Sequence, residues 1–242
     1  MPKSLALIHT SFVFINVETM MRDLFAEIMP DVRLINIVDD SLLADVMRVG
    51  EIRPEVQQRM NHYVEAAART GADAVLSLCS SLGPTIDEAR TLVSIPVIKI
   101  DDAMTAKAAA EADRLGVMAT VKTTLAPTVS LIRSKATAMS RQVEIHPCLV
   151  AGAFEILMSG QREHHDELVV AAARELASRV DLIVLAQASM TRLAPRLQTE
   201  TGLTVLSSPR LAIEYTKSVL DGLGRNSDAP TEQTRQNTPA VC

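Results

Sequence analysis

Three segments of this 242-residue chain recur in the same order at nearly constant spacing. Leu5-Ala6-Leu7-Ile8-His9-Thr10 returns as Leu115-Gly116-Val117-Met118-Ala119-Thr120, 110 positions on. The stretch from Ala72 to Leu82 returns as Val180 to Met190, and Ile95-Pro96-Val97-Ile98 as Leu203-Thr204-Val205-Leu206, both at a spacing of 108. Each is an apolar run followed by a helical pattern, as in a buried parallel strand feeding a crossover helix. Any βα unit looks like that, but a shared spacing across three of them asks for more. It predicts an α/β fold of two pseudo-symmetric halves with mainly parallel sheets. Equivalent strand ends would meet in the cleft between them, where small molecules bind. The division expected is residues 1–101 with 208–221 as the first half and 102–207 as the second. Residues 222–242 lack apolar periodicity and read as a disordered tail, which makes Cys242 incidental.

Between the repeats the pattern is coarser. Helices are expected from Val17 to Met29, from Pro54 (a first-turn proline) to Arg69, and from Pro84 to Leu92, with a strand from Val32 to Val38. The polar stretch Asp39 to Arg53 reads as a loop with a short helix. Asp101-Asp102 read as the exit of the Ile95–Ile100 strand and the N-cap of a helix ending near Arg114. Cys148 follows Pro147 and reads as opening a helical segment at Leu149-Val150. His164-His165, inside Gln161-Arg162-Glu163-His164-His165-Asp166-Glu167, read as a solvated helix start.

Composition removes several function classes. A net charge of −5, no basic block and 2% aromatic residues speak against nucleic-acid binding. No apolar run reaches the roughly 18 residues that span a bilayer, and no signal-peptide pattern precedes the first strand, so a cytoplasmic protein with no membrane contact is expected. Three cysteines, Cys79, Cys148 and Cys242, make no disulfide framework, and no Cys/His spacing fits zinc. Free thiols and no metal are the expectation.

The candidate reacting group is Cys79. It ends the apolar run Ala74-Val75-Leu76-Ser77-Leu78 and is followed by Ser80-Ser81-Leu82-Gly83-Pro84. That places a thiol at the carboxyl end of a strand and the start of a helix, where backbone N–H groups lower a thiol pKa. Partial ionisation near neutral pH is therefore expected. The alternative is a small inert core residue.

These residues together, with Gly116-Val117-Met118-Ala119-Thr120 opening the second half and Leu185-Ala186-Gln187-Ala188-Ser189-Met190 near its end, resemble the aspartate/glutamate/hydantoin racemase superfamily over about residues 4 to 221. The resemblance implies two thiols, one at the tip of each equivalent strand, facing opposite sides of the α-carbon of a small carboxylic acid, with no cofactor. A homo-oligomer stays open. Cys79 matches the first thiol position. The second falls at 187, where this chain has Gln187.

Gln187 has no proton to exchange near neutral pH, although its amide can hydrogen-bond a carboxylate or an enediolate. Two-base racemisation needs an acid on the face opposite the base. With one matched thiol, three readings compete: a cofactor-independent isomerase, racemase or decarboxylase working next to a carboxylate; nucleophilic addition by Cys79 that isomerises an unsaturated diacid; or a carboxylate-binding protein without turnover. Among superfamily relatives, arylmalonate decarboxylase has a single thiol at the second position, and maleate isomerase uses its first as a nucleophile. His9 is the candidate replacement for the missing base. Hydroxyls at the strand ends supply candidate substrate contacts: Thr10, Ser11, Ser80, Ser81, Thr120, Thr123, Thr124 and Ser189.

Overall fold

The computed structural model describes residues 2–12, 15 and 19–225. The elements are β1 (Ser4–His9), α1 (Met20–Ile28), β2 (Arg33–Val38), α2 (Ser41–Val49), α3 (Pro54–Arg69), β3 (Ala74–Ser77), α4 (Gly83–Ala89), β4 (Val97–Lys99) and α5 (Asp102–Glu111). They continue as β5 (Arg114–Ala119), α6 (Lys122–Ala138), β6 (Glu144–Leu149), α7 (Ala153–Met158), α8 (Arg162–Ala177), β7 (Leu182–Leu185), α9 (Ala194–Thr201), β8 (Thr204–Ser207) and α10 (Ser208–Arg225).

Two parallel four-stranded sheets result, ordered β2-β1-β3-β4 and β6-β5-β7-β8. The repeat in the sequence is a repeat in register: Leu5 pairs with Ala74 in one sheet and Leu115 with Leu182 in the other. Even the polar fastening at the strand starts is copied. Asp73 accepts the Ser4 backbone N–H at 2.7 Å, and Asp181 accepts that of Arg114 at 3.1 Å.

Because the central strands are apolar on both faces, each sheet must be covered twice. On the first sheet, Leu42 and Val46 of α2, Val56, Met60 and Val64 of α3 and Ile86 of α4 cover one face. The other face is closed by Met21 and Phe25 of α1 together with Ala212, Ile213 and Leu220 of α10. The second sheet is covered by α8 and α9 on one side, and by Met104 and Ala108 of α5 with Val129 and Ile132 of α6 on the other. The helices following β4 and β8 thus cross over: each packs on the sheet of the opposite half. Gly116, in the middle of β5, is required by this packing, since a Cβ there would meet the Leu176 side chain at 2.6 Å.

Several expectations need correction. Cys148 does not open a helix; it lies within β6, which pairs only with β5, and an edge strand tolerates Pro147. The short helix expected within Asp39 to Arg53 is α2, whereas the helix expected to end near Arg114 stops at Glu111. Residues 222–225, read as the start of the tail, belong to α10. Residues 226–242, with Cys242, lie outside the described residues, as does the expected helix start at Val17. Among the described residues, no helix is long and apolar enough to cross a membrane, and no cluster of His, Cys, Asp or Glu is arranged for a metal ion.

Candidate active site

Each half carries the same local device. β3 and β7 end two residues before a short 3-10 turn, Ser80–Leu82 in one half and Ala188–Leu193 in the other. Cys79 and Gln187 stand at the N-cap of these turns with nearly the same extended backbone, φ −139° and ψ 112° against φ −131° and ψ 129°. Beside each lies the threonine that leaves the neighbouring strand, Thr10 after β1 and Thr120 after β5.

The residues next to the two positions meet. Leu78, next to Cys79, and Ala188, next to Gln187, are buried in one apolar cluster. The Ser81 and Thr123 hydroxyls meet across the boundary at 3.1 Å.

What the two side chains do with their surroundings differs. The Cys79 sulfur is approached by the Thr10 hydroxyl and by the backbone N–H groups of Ser81 and Leu82. Those donors favour a thiolate, but Cys79 is only 9% exposed, and burial pushes the thiol above its ordinary value. The expected partial ionisation near neutral pH is therefore corrected: desolvation outweighs the helix-start donors and disfavours the thiolate. Gln187 is an acceptor rather than a donor. Its Oε1 takes the Thr120 N–H at 2.6 Å, the Thr120 hydroxyl at 3.1 Å and the Val121 N–H at 3.1 Å. A glutamine carbonyl fills the donor nest at the strand end, and nothing there can carry a proton.

His9 takes another direction. Its Nε2 bonds Asn36 Oδ1 on β2 at 2.9 Å, on the sheet face that alternation sets opposite Thr10. Burial holds the imidazole below its ordinary value, so it is neutral at pH 7.

The hydroxyls divide by role. Thr10, Ser80, Ser81 and Thr120 are buried at the boundary, with Ser11 and Thr123 half-buried beside them. Thr124 bonds the Val121 carbonyl at 2.8 Å and closes the first turn of α6, while Ser189 is exposed. The reading of His164-His165 as a solvated pair holds for His164 only. His165 is buried and bonds Asp166 at 2.7 Å, which in turn holds Arg192 of the turn carrying Gln187.

Asp101 was not singled out as a site residue by its sequence. Its carboxyl does not cap α5; it accepts the Ser80 hydroxyl at 3.0 Å. Burial among few partners raises it to about 7. Asp102, beside it, accepts the Lys99 backbone N–H at 2.9 Å and pairs with Lys135 at 2.8 Å. A cavity of about 350 Å³ between α4 and α6 is lined by Ser80, Asp101, Asp102, Lys99 and Lys135 among others, and lies behind the Cys79 turn rather than in front of the thiol.

A family model described as Asp/Glu/Hydantoin racemase matches residues 16–216. No curated protein sequence gives a significant match. Similar solved structures include a glutamate racemase from Francisella tularensis in complex with D-glutamate, with a TM-score of 0.68 at 13% identity, covering 92% of this chain and 82% of that one. An allantoin racemase from Klebsiella pneumoniae gives a TM-score of 0.61 at 17% identity, covering 92% of this chain and 89% of the other. An unliganded arylmalonate decarboxylase gives 0.55 at 14% identity, over 91% of this chain and 94% of that one. At these identities the likeness is one of fold.

Proposed function

The chain belongs to the Asp/Glu/hydantoin racemase family, and we propose that within it this protein is a one-thiol enzyme that decarboxylates a small geminal diacid and protonates the resulting carbanion from Cys79. The observation that carries this reading is the pairing of one buried thiol at position 79 with a non-titrating Gln187 at the matched position.

The chemistry follows from what each group can do. Two-base racemisation and nucleophilic addition both begin with a thiolate, which burial disfavours here. Decarboxylation begins without one. The bond from the α-carbon to one carboxylate breaks, carbon dioxide leaves, and the electron pair stays on the remaining carboxylate as an enediolate. Cys79 then gives its proton to the α-carbon on one face, and solvent returns a proton to the thiolate. The Thr10 hydroxyl and the Ser81 and Leu82 N–H groups stabilise the sulfur anion formed in that step. The Ser81 and Thr123 hydroxyls, which meet at 3.1 Å, are the donors offered to the carboxylate that stays, since those of Thr120 are held by Gln187. The scheme draws on no cofactor.

Incubation with 2-substituted malonic acids in D₂O tests it. The expected result is carbon dioxide and a monoacid carrying one deuterium at the α-carbon. Rapid α-deuteration of aspartate or glutamate without carbon dioxide release would overturn the reading in favour of two-base chemistry. A mass-detected adduct of Cys79 with an unsaturated diacid would favour the nucleophilic alternative, and binding without turnover a carboxylate-binding protein.

A further inference from the structure

Asp101 is the buried carboxyl that this scheme leaves unused, and its surroundings are unusual. It ends the crossover from β4 to α5, is 3% exposed, and has no cation in contact. The neighbouring acids do have cations. Asp87 of α4 holds Lys99 at 2.8 Å, and Asp102 of α5 holds Lys135 of α6 at 2.8 Å, with Arg90 at 3.7 Å. Asp101 has hydroxyls instead. Ser80 Oγ, one residue from the reacting thiol, donates to it at 3.0 Å. The Ser208 hydroxyl, buried at the start of α10, makes no hydrogen bond, and its nearness favours the ionised form of Asp101. One carboxyl thus ties the β4–α5 crossover to the Cys79 turn.

We propose that Asp101 is the positioning residue of the Cys79 turn, and that the two side chains form a coupled pair carrying one negative charge, which keeps Cys79 as the proton donor while Asp101 is ionised. Two anions in one desolvated region repel, so ionising either makes ionising the other harder. The charged groups facing Asp101 are Lys99 on its own strand end, Asp102 at the start of α5 and Cys79 on the 3-10 turn. Asp87, Arg90 and Lys135 stand further round the same cavity. Lys99 favours the ionised carboxyl, while Asp102 opposes it. Burial pushes the carboxyl up to about 7, so its charge, and with it the thiol's, is expected to change around neutral pH. When Cys79 has given up its proton, a protonated Asp101 relieves the thiolate of a like-charged neighbour, and an ionised one drives its reprotonation from solvent. This inference deepens the one-thiol reading and rests on it for its catalytic meaning.

The test is the rate of iodoacetamide alkylation of Cys79 against pH, read on the Cys79 peptide by mass spectrometry in the full-length protein. Each protonation state of Asp101 sets its own thiol affinity, so the logarithm of the rate should rise with pH, show a shelf near pH 7, and then rise again. Asp101→Asn should remove the shelf and speed alkylation at pH 8 by roughly tenfold, the effect of about one pKa unit from a neighbouring charge. Ser80→Ala, which keeps the carboxyl and removes its link to the turn, should keep a shelf displaced to higher pH. A straight, unit-slope profile in the unmodified protein would overturn the proposal, and so would an unchanged shelf in a folded Asp101→Asn protein. Alkylation needs no substrate. Failure here therefore leaves the decarboxylation reading standing, and absence of carbon dioxide release leaves the coupled pair standing.

Discussion

The side-chain carbonyl of Gln187 accepts the backbone N–H of Thr120 at 2.6 Å, from the same place in its half that the Cys79 sulfur holds beside Thr10 in the other. The second half keeps the donors of an anion site and satisfies them internally. Gln187→Cys should free three buried donors, those of Thr120 N, Thr120 Oγ1 and Val121 N, and lower stability by about 1–3 kcal/mol. Urea unfolding reads that loss. The same variant should gain solvent-deuterium exchange at the α-carbon of a bound acid, because a thiol then stands on each side. A folded variant with no gain in exchange would mean that positions 79 and 187 do not address one carbon.

Removing the thiol should remove the chemistry. Cys79→Ser is expected to lower carbon dioxide release from a substituted malonate by about 10²–10⁴-fold, the usual range for a positioned acid, because a serine hydroxyl is a far weaker proton donor. Circular dichroism checks that the fold is retained. Activity within a factor of two of the unmodified protein would remove Cys79 from the mechanism.

Asp101 also predicts a pH dependence of stability. Its folded pKa of about 7 lies above the unfolded value of 3.8, so between these the native state binds the extra proton. Stability from this group is complete below about pH 4, falls as pH rises toward 7, and is level above. Asp101→Asn should flatten that fall, gaining on the unmodified protein by a few kcal/mol between pH 4.5 and pH 8. Denaturant midpoints at the two pH values measure it. Parallel curves for the two proteins would mean that the carboxyl is not protonated in the fold.

Gly116→Ala tests the packing of the second half. The added Cβ would sit 2.6 Å from Leu176 Cδ2 and 3.3 Å from Val180 Cγ2, and overpacking of this kind costs about 1–3 kcal/mol. A lowered thermal midpoint is expected. An unchanged one would show that Leu176 moves aside freely.

How much of this was legible in the residues depends on whether the signal was local. The repeat was, because equal spacing between apolar runs is equal register between strands, as Leu5 with Ala74 and Leu115 with Leu182 show. The state of Cys79 was not. Its helix-start donors are written in Ser80-Ser81-Leu82, whereas the burial that overrules them comes from distant chain segments. Asp101-Asp102 before a helix carries the ordinary capping signature, and only the tertiary meeting with Ser80 diverts the first carboxyl. His165 could have been found: it stands four residues before Val169 and eight before Ala173, in line with the buried stripe of α8. Cys148 was misread because β6 is a half-exposed edge strand, where proline and polar residues imitate a break.

The exchange of α5 and α10 between halves sets an order on how the chain can be made. Leu5, Leu7, Leu76 and Ile98 need Ala212, Ile213 and Leu220 over them, so the half that leaves the ribosome first is completed by α10, the last helix of the described residues. A nascent chain halted at Ser207 carries a finished second sheet and a first sheet still bare on one side. That first half should be cut by protease in such a chain and protected once α10 has been released. The thiol, carried on the first sheet, has its full surroundings only after α10 has been synthesised.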